Sequence, residues 1–472
     1  MKSWLIGLLL LPATLWGQNH STLADRLDTL VANELPAGSN VGIAVYDLTD
    51  NKPLYNHQAD KLCRPASTMK LLTGIAALAQ PESDAPFRTE VWYKGTIERD
   101  TLHGDLYVVG GFDPEFTDEA LDTLVSYVQR LPFSVVNGHI YGDVSMRDST
   151  ASYWGSGWIW DDNPSAFQPY LSPLMLNKGT VTVTVTPTVA GEVGTVVCVP
   201  RSTYYIMDNR TQSYTPSAGG LKLTRSWQYN LNNLSLTGNV TAKWSGGINL
   251  FLSDDFFMHT FVERLEEAGV QCPHRYSFGV FTRDSLATPV VYYETPMQQA
   301  LDQMLKESDN LNAEAFLCRL GVQTTGRRYI KPADGIKAID RLMTRMGENP
   351  KRYRIVDGSG LSQYDYLSPQ LLVAFLRFAY ADTNIFQRLY KALPIAGVDG
   401  TLQHRMKNSP AYRRVYAKTG TMTGVSCLAG YLRAANGHFL TFAIMNQNQL
   451  SGSAARKFQD KVCELLAESG EL

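Results

Sequence analysis

The sequence lacks the features that mark nucleic-acid-binding and metal-binding proteins. Its formal net charge is only -2, its pI is about 6.5 and no run is rich in lysine and arginine, so no strong positive field exists to attract nucleic acid. The eight histidines are scattered, and neither C-x-x-C nor H-x-x-x-H occurs. We therefore predict no nucleic-acid partner, no metal and no cofactor.

Cysteine is scarce, with six residues in a chain of 472. Four of them lie in apolar contexts that are typical of buried free thiols: Cys63, Cys318, Cys427 and Cys463. Cys198 and Cys272 lie in the middle of the sequence and could pair in an oxidising compartment. Sequence alone leaves that pairing open.

No segment after the first residues has both the length and the apolarity of a transmembrane helix. At the N-terminus, Lys2 is followed by a short apolar run at residues 5–11 and by small residues near Gly17, which is the pattern of a secretory signal. The run is too short to cross a bilayer comfortably, and no cysteine lies beside it for lipid attachment. We therefore predict a cleaved signal peptide at residues 1–17, a periplasmic protein and at most peripheral association with a membrane.

The composition is that of a large globular protein, with 44% hydrophobic and 19% charged residues and room for two or three domains. Apolar β-type runs at residues 41–48 and 53–57 precede a helical pattern that starts after Pro65. Near the other end, residues 426–433 and 438–445 are predicted strands before a final helix. The two ends of the chain therefore have the same predicted mixture of strands and helices.

The middle of the chain differs, with alternating β-branched residues and predicted strands such as residues 234–244. The polar, glycine-rich residues 202–220 break this pattern. We predict an inserted, mostly β region at residues 86–289 that contains two nested small domains. Residues 22–85 and 290–472 would then form one discontinuous domain.

Three short motifs occur once each: S-x-x-K at residues 67–70, S-x-N at residues 308–310 and K-T-G at residues 418–420. The predicted elements place them at a helix start, at a break between two helices and at a strand end. Each is weak alone, because surface helices, helix caps and ordinary strand ends carry the same residues. Their joint occurrence in this order favours a single active site.

The first two motifs can supply the chemistry of acyl transfer. Ser67 and Lys70 would project from one helix face, and a partly desolvated lysine beside another cation can be neutral and accept the serine proton. Ser308 and Asn310 would point the same way while Asp309 points elsewhere. The hydroxyl could then relay a proton, and the carboxamide could bind a peptide bond.

The third motif can bind the end of a peptide. The Lys418 ammonium and the Thr419 hydroxyl can hold a carboxylate, and Gly420 lets a substrate approach the backbone closely. Thr421 could offer its N–H at an edge where an extended peptide adds as a strand. Competing serine chemistry fits poorly, because G-x-S-x-G is missing and Ser359 lies in a glycine-rich loop.

The three motifs together resemble those of the penicillin-recognising serine acyl transferases. Within that group the chain is similar to the penicillin-binding protein 4 type, the low-molecular-mass class C D-alanyl-D-alanine carboxypeptidase/endopeptidases. Further stretches that carry the resemblance are residues 110–114, 357–362, 393–397 and 399–402. The resemblance spans nearly the whole mature chain, and that family is similar in carrying large extra domains between the first two motifs.

The resemblance implies a mechanism. Ser67 would attack the carbonyl of the penultimate D-alanine, Lys70 would be the general base, and Ser308 would pass a proton to the departing amine. Water would then hydrolyse the acyl-enzyme. The implied substrates are peptidoglycan stem peptides and cross-links, and the implied inhibitors are β-lactam antibiotics that acylate the same serine.

The resemblance also implies how the substrate is bound and by which fold. Asn310 would hold the substrate amide, and Lys418 and Thr419 would bind the substrate carboxylate beside Gly420. The backbone N–H groups of Ser67 and Thr421 would together form the oxyanion hole. The implied fold is α/β (α+β): a transpeptidase/β-lactamase-like domain with a five-stranded antiparallel sheet flanked by helices, plus mostly-β inserted domains. Both ends of the chain would contribute strands to that sheet.

Two other functions stay open from the sequence. A β-lactamase would use the same acylation, but class A enzymes also need a glutamate-activated water, and no E-x-x-L-N stretch lies between Asn310 and Lys418. A catalytically idle cell-wall binding or sensor protein would not need the intact Ser67 and Lys70. The sequence favours a serine-type D-Ala-D-Ala carboxypeptidase.

Overall fold

The computed structural model describes residues 22–470, and the predicted signal peptide at residues 1–17 lies outside them. The described helices are, in chain order, α1 (Leu23–Glu34), α2 (Met69–Leu78), α3 (Asp118–Gln129), α4 (Ser253–Glu267), α5 (Met297–Lys306), α6 (Asn310–Thr325), α7 (Pro332–Arg345), α8 (Pro369–Ala381), α9 (Thr383–Ala392) and α10 (Gly452–Glu468). Within the described range, none of these helices is both long enough and apolar enough to cross a bilayer.

Strands lie at both ends of the chain and throughout its middle. They are, in chain order, β1 (Asn40–Asp47), β2 (Lys52–His57), β3 (Phe87–Glu98), β4 (Thr101–Val109), β5 (Val135–Val136), β6 (Ile140–Asp143), β7 (Thr180–Thr186), β8 (Thr195–Val199), β9 (Ile206–Ser213), β10 (Lys222–Arg225), β11 (Asn233–Val240), β12 (Trp244–Asn249), β13 (Tyr276–Phe278), β14 (Ala287–Thr295), β15 (Val415–Met422), β16 (Val425–Arg433) and β17 (Phe439–Gln447).

Strands from both ends of the chain form one five-stranded sheet. Its order is β15-β16-β17-β1-β2, and every neighbouring pair is antiparallel. β1 pairs with β17 over its whole length, from Asn40 opposite Gln447 to Asp47 opposite Leu440. The antiparallel sheet and its shared origin in the two ends of the chain are therefore confirmed.

Both faces of this sheet are buried, which explains its apolar strands. Along β1, Ile43 and Val45 face a core that includes α1 and α10, whereas Ala44 and Tyr46 face a core that includes α2 and α8. Successive residues of a strand point to opposite faces, so a strand covered on both sides is apolar at nearly every position. β17 is such a strand, since all of its residues are buried.

The middle of the chain forms separate sheets. A six-stranded sheet has the order β13-β6-β4-β3-β14 with β5 paired to β4, and two three-stranded sheets have the orders β10-β11-β9 and β12-β7-β8. Strands of all three sheets share an apolar core with α3 and α4. The middle region is mostly β, as the sequence indicates, while its division into domains at residues 85 and 290 stays a prediction.

The structure corrects two details of the predicted strands. Residues 234–244 are not one strand, because β11 ends at Val240 and β12 begins at Trp244 after three exposed residues. Residues 202–220 are not merely a break, because they contain β9, which pairs with β11 at the edge of its sheet. A polar edge strand is stabilised by backbone pairing and leaves little apolar pattern in the sequence.

The cysteines are all free in the structure, including Cys198 and Cys272. Cys272 is buried after α4 and its thiol lies 3.5 Å from the carbonyl oxygen of Val270. Cys198 lies on β8 and is half-buried. The pairing that the sequence left open is therefore not formed in this structure.

Replacing Ile444 by alanine tests the packing of the five-stranded sheet. Ile444 is fully buried in the middle of β17 and faces the core that contains α1 and α10. We expect Ile444→Ala to lower the free energy of unfolding by about 2–5 kcal/mol, because it removes buried methyl and methylene groups and leaves a cavity. Leu286→Ala is the control, since Leu286 is 69% exposed. Equal losses in thermal or urea unfolding of the two variants would contradict this packing.

Candidate active site

Ser67 lies at the point where the chain enters α2. It belongs to a 3-10 turn, Ala66–Thr68, directly before the helix and not in the helix's first turn, where the sequence places it. Ala66 has a φ of +46°, which is uncommon for a residue with a Cβ. Gly360 packs directly on this residue, because a Cβ added to it would lie 1.9 Å from the carbonyl oxygen of Ala66.

Lys70 follows in the first turn of α2, and its side chain is fully buried. Its amine Nζ lies 2.9 Å from Ser67 Oγ, 2.6 Å from Asn310 Oδ1 and 2.8 Å from the carbonyl oxygen of Ser359. Burial lowers the pKa of Lys70 to about 8, although nearby carboxylates, Asp357 foremost, act in the opposite direction. The S-x-x-K pair is thus a hydroxyl in contact with a desolvated amine.

The S-D-N segment lies at the break between α5 and α6, as predicted. Ser308 has a φ of +62°, so the chain turns there in the left-handed conformation. Asp309 points away from the site, because it caps α6 by accepting from the N–H of Asn312 at 2.9 Å and forms an ion pair with Lys178 at 2.6 Å. The cap and the ion pair fix the start of α6, on which the third residue of the motif lies.

Asn310 is held at both ends of its carboxamide. Its Nδ2 donates to the carbonyl oxygen of Phe167 at 2.7 Å, and its Oδ1 accepts from Lys70. Because a carbonyl oxygen can only accept, the Phe167 contact fixes which end of the amide faces the lysine. Phe167 and Lys178 both come from the middle region, so that region contacts the S-D-N segment directly.

The K-T-G segment lies inside β15 and not at its end, since the strand continues to Met422. β15 is an edge strand of the five-stranded sheet. A Cβ at Gly420 would lie 2.8 Å from the carbonyl oxygen of Pro65 and 3.1 Å from the backbone nitrogen of Ser67. Gly420 therefore lets β15 pack closely against the turn that carries Ser67.

Lys418 is fully buried, and its amine donates to Ser308 Oγ and to the carbonyl oxygen of Thr419, both at 2.8 Å. Burial, followed by the charge of Lys70, lowers the pKa of Lys418 well below its ordinary value. The Thr419 hydroxyl donates to the hydroxyl of Thr401 at 2.8 Å. The second and third motifs thus meet through the contact between Lys418 and Ser308.

The structure brings together the residues that the sequence predicts for the site: Ser67, Lys70, Ser308, Asn310, Lys418, Thr419, Gly420 and Thr421. The three hydroxyl-bearing residues of the motifs are partly exposed, whereas both lysines are buried behind them. A ligand can therefore reach the hydroxyls while the amines stay out of bulk water. Buried amines with lowered pKa values beside accessible hydroxyls are typical of catalytic sites.

Three further parts of the site were not predicted as site residues. The Ser359 carbonyl contacts Lys70, the Asp357 carboxylate holds the loop at residues 357–362 through its backbone N–H groups, and Glu314 accepts from two more N–H groups of that loop. The sequence does single out this loop, but as a glycine-rich stretch. The Ser359 hydroxyl is buried 3.3 Å from Asp357, so it is not presented as a nucleophile.

Among residues 22–470, one group of side chains could hold a metal ion: Asp47, Asp50 and His438. Asp47 accepts from the backbone N–H of Thr49 at 2.8 Å, and its other oxygen lies 2.7 Å from His438 Nδ1. These contacts stabilise the turn after β1, away from the three motifs. The absence of a metal from the reaction stays a prediction.

The five-stranded antiparallel sheet and the Ser67–Lys70 pair at the start of a helix define the class of protein, a serine peptidase. The model of the D-Ala-D-Ala carboxypeptidase 3 (S13) family matches residues 23–469. The chain belongs to this family.

Two curated relatives and one solved protein illustrate the likeness. A D-alanyl-D-alanine carboxypeptidase of Actinomadura sp. (strain R39) is 30% identical over 491 residues, covering 98% of this chain and 90% of the relative. D-alanyl-D-alanine carboxypeptidase DacB of Haemophilus influenzae is 24% identical over 440 residues, covering 87% of this chain and 86% of the relative.

The crystal structure of penicillin-binding protein 4 (dacB) from H. influenzae matches with a TM-score of 0.79 at 21% identity, covering 94% of this chain and 99% of that one. A second crystal structure of that protein, complexed with a novel β-lactam, matches with a TM-score of 0.76 at 19% identity and covers 94% and 100% of the two chains. The fold is therefore shared over nearly the whole length.

Gly360→Ala tests the contact between the glycine-rich loop and the turn before α2. Gly360 has a φ of +79°, and its added Cβ would collide with Ala66. Gly347 is a matched control, because its φ is +83° and a Cβ there would meet nothing within 4 Å. We expect Gly347→Ala to lose about 1–2 kcal/mol of stability from backbone strain alone. Gly360→Ala should lose about 1–3 kcal/mol more, and equal midpoints of thermal unfolding would contradict the contact.

Proposed function

We propose that this protein is a serine-type D-Ala-D-Ala carboxypeptidase/endopeptidase in which Ser67 forms an acyl-enzyme with peptidoglycan peptides. The observation that carries the proposal is the 2.9 Å contact between Ser67 Oγ and the buried amine of Lys70. Membership of the S13 family and the carboxypeptidase names of its relatives support the choice of substrate. Burial of the amine supports the reaction type, since it favours the neutral form that can accept a proton.

The neighbours of Lys70 support its role as general base. Asn310 Oδ1 and the Ser359 carbonyl can only accept hydrogen bonds, so a neutral amine directs its two N–H groups to them. Its lone pair is then left for the Ser67 hydroxyl, at a distance suited to proton transfer. With a pKa of about 8, roughly a tenth of the amine is neutral at pH 7, against less than about one part in a thousand at the ordinary value near 10.4.

In the proposed acylation, Ser67 Oγ attacks the carbonyl carbon of the penultimate D-alanine while its proton passes to Lys70. The oxyanion would be bound by the N–H groups of Ser67 and Thr421. The C–N bond then breaks as Ser308, oriented by Lys418, gives its hydroxyl proton to the departing amine and takes in its place the proton held by Lys70. One proton is thus transferred in net from Ser67 to the released D-alanine, and water later hydrolyses the ester.

The position of β15 supports the proposed mode of substrate binding. Because β15 is an edge strand, an extended peptide can pair with it, and its terminal carboxylate would meet the partly exposed Thr419 hydroxyl. Lys418 is buried behind that hydroxyl, and a bound carboxylate would favour its protonated, positively charged form. Asn310 would hold the substrate amide beside the nucleophile, with Gly420 keeping the strand close to it.

The surroundings of Ser67 favour a carboxypeptidase over a β-lactamase. Lys70 hydrogen-bonds to Ser67 Oγ, and no carboxylate in the described part of the chain does so. The glutamate that activates a water for deacylation in class A enzymes also has no counterpart in the sequence, since no E-x-x-L-N stretch lies between Asn310 and Lys418. β-Lactams are proposed to form a long-lived acyl-enzyme here, in keeping with the β-lactam complex of the Haemophilus protein.

Export is part of the proposal. The sequence pattern of residues 1–17 is that of a cleaved signal, and the proposed substrate lies outside the cytoplasm. We accordingly propose a periplasmic location with at most peripheral association with a membrane. Detection of a mature N-terminus after residue 17 in the periplasmic fraction would support it, and retention of Met1 in the cytosol would contradict it.

Ser67→Ala removes the proposed nucleophile. We expect loss of labelling by a fluorescent penicillin and a fall in product formation of about a thousandfold or more. Ser285→Ala is the control, because Ser285 is an exposed residue of the loop before β14. Equal labelling of wild type and Ser67→Ala would show that the nucleophile is wrongly assigned.

Mass spectrometry of defined muropeptides identifies the reaction itself. Loss of one terminal alanine from a pentapeptide shows carboxypeptidase activity, and conversion of a cross-linked dimer to monomers shows endopeptidase activity. Either product supports the proposal. If the wild-type protein forms neither, it is not the proposed hydrolase.

The pH dependence of acylation tests the base. Because burial lowers the pKa of Lys70 to about 8, the neutral amine becomes available as pH rises through that value. We expect the second-order rate of acylation by a penicillin to rise between pH 6 and pH 9 and to level off above about pH 9. A rate that falls over this range would contradict a lysine base.

A further inference from the structure

The carboxyl group of Glu314 is buried beside the site, yet the proposed mechanism does not use it. Glu314 lies on α6, one turn after Asn310, and is 5% exposed. Its Oε1 accepts from the backbone N–H of Gly358 at 3.0 Å and from that of Ser359 at 2.9 Å. Ser359 is also the residue whose carbonyl accepts from Lys70. The same residue is thus bound by Glu314 at its N–H and by the lysine at its carbonyl.

We propose that Glu314 is a positioning residue for the acyl transfer: it fixes the backbone of residues 358–359 and, through the Ser359 carbonyl, the amine of Lys70 against Ser67. The inference rests on the proposed function. Lys70 has two hydrogen-bond acceptors other than the nucleophile, and helix α6 fixes the position of both. Asn310 belongs to α6, and Ser359 is bound to α6 through Glu314.

The glycines at positions 358 and 360 let the backbone of the loop adopt many conformations, so hydrogen bonds from side chains are needed to fix it. A Cβ at Gly358 would lie 2.7 Å from the carbonyl oxygen of Ala313, so the loop lies directly on α6. Thr73 on α2 donates to the carbonyl oxygen of Gly358 at 2.7 Å. Asp357 accepts from the N–H of Gly360 at 2.7 Å. Glu314 is the side chain that binds the backbone N–H of Ser359.

Titratable and charged groups face Glu314 from several elements. They are Lys70 on α2, Asp357 and Asp365 in the loop before α8, Arg147 in the middle region and Cys318 on α6. Burial raises the pKa of Glu314, the charge of Asp357 adds to this, and Lys70 opposes it. A neutral Glu314 still offers an acceptor oxygen to both N–H groups. When it ionises, its charge raises the pKa of Lys70.

Glu314→Gln keeps an acceptor oxygen but cannot ionise. We expect this variant to unfold near the wild-type temperature and to be acylated by a penicillin at close to the wild-type rate at pH 8. Its acylation profile should have its inflection at a lower pH than wild type, because the negative charge that raises the pKa of Lys70 is gone.

Glu314→Leu removes the acceptor and leaves two buried N–H groups unpaired. We expect its acylation rate to fall by about ten- to a hundredfold, because the amine loses a fixed partner. The loss should fall on kcat for a D-Ala-D-Ala peptide and leave KM within about threefold, since β15 and Thr419 are untouched. Glu266→Gln, an exposed change on α4, is the control and should leave both parameters unchanged.

Two outcomes overturn the inference while leaving the proposed function intact: a folded Glu314→Leu that is acylated at the wild-type rate, or a folded Glu314→Gln that keeps the acceptor oxygen and yet loses about ten- to a hundredfold in acylation rate. If Glu314→Leu does not fold, the acylation rate of Glu314→Gln decides alone. A wild-type protein that a penicillin does not acylate at Ser67 would instead refute the proposed function, and the inference with it.

Discussion

The arrangement of the site depends on one lysine amine held out of water between two carbonyl-type oxygens and one hydroxyl. Lys70 comes from α2, its acceptors from Asn310 and Ser359, and the hydroxyl from Ser67. Removing an ammonium group from water is costly, and that cost is what lowers the pKa of the lysine. The two fixed acceptors leave the amine one remaining direction, which is towards the nucleophile. Burial therefore favours the neutral, basic form of the Lys70 amine, and the two acceptors orient its lone pair towards Ser67.

The rest of the fold holds this amine in place from several sides. The turn before α2 lies between β15 and the glycine-rich loop, because Gly420 packs on Ser67 and Gly360 packs on Ala66. The five-stranded sheet joins the two ends of the chain and so brings β15 to that turn. The middle region contributes the Phe167 carbonyl, which orients Asn310. The site is thus built by segments that are far apart in sequence and that meet only in the folded protein.

The sequence predicts the motif residues because each motif consists of side chains with recognisable chemistry at short spacing. It predicts β1, β16 and β17 because burial on both faces makes these strands apolar at most positions. It misses Ser359 because a backbone carbonyl carries no side-chain signal, and Glu314 because a single acid on a buried helix has no motif. It places residues 418–420 at a strand end because glycine usually weakens strands, whereas Gly420 lets β15 continue past Ser67. It misses β9 because backbone pairing, and not an apolar pattern, stabilises that polar edge strand.

The most direct test is the titration of the Lys70 amine in the free protein. Carbon-13 NMR of protein labelled at the lysine ε-carbon would follow it, with the signal assigned by its loss in Lys70→Met. The account predicts that this resonance titrates near pH 8, the value to which burial lowers the Lys70 pKa. A resonance that titrates at the ordinary value near 10.4 would contradict it, because the amine would then be protonated whenever the enzyme meets its substrate at neutral pH.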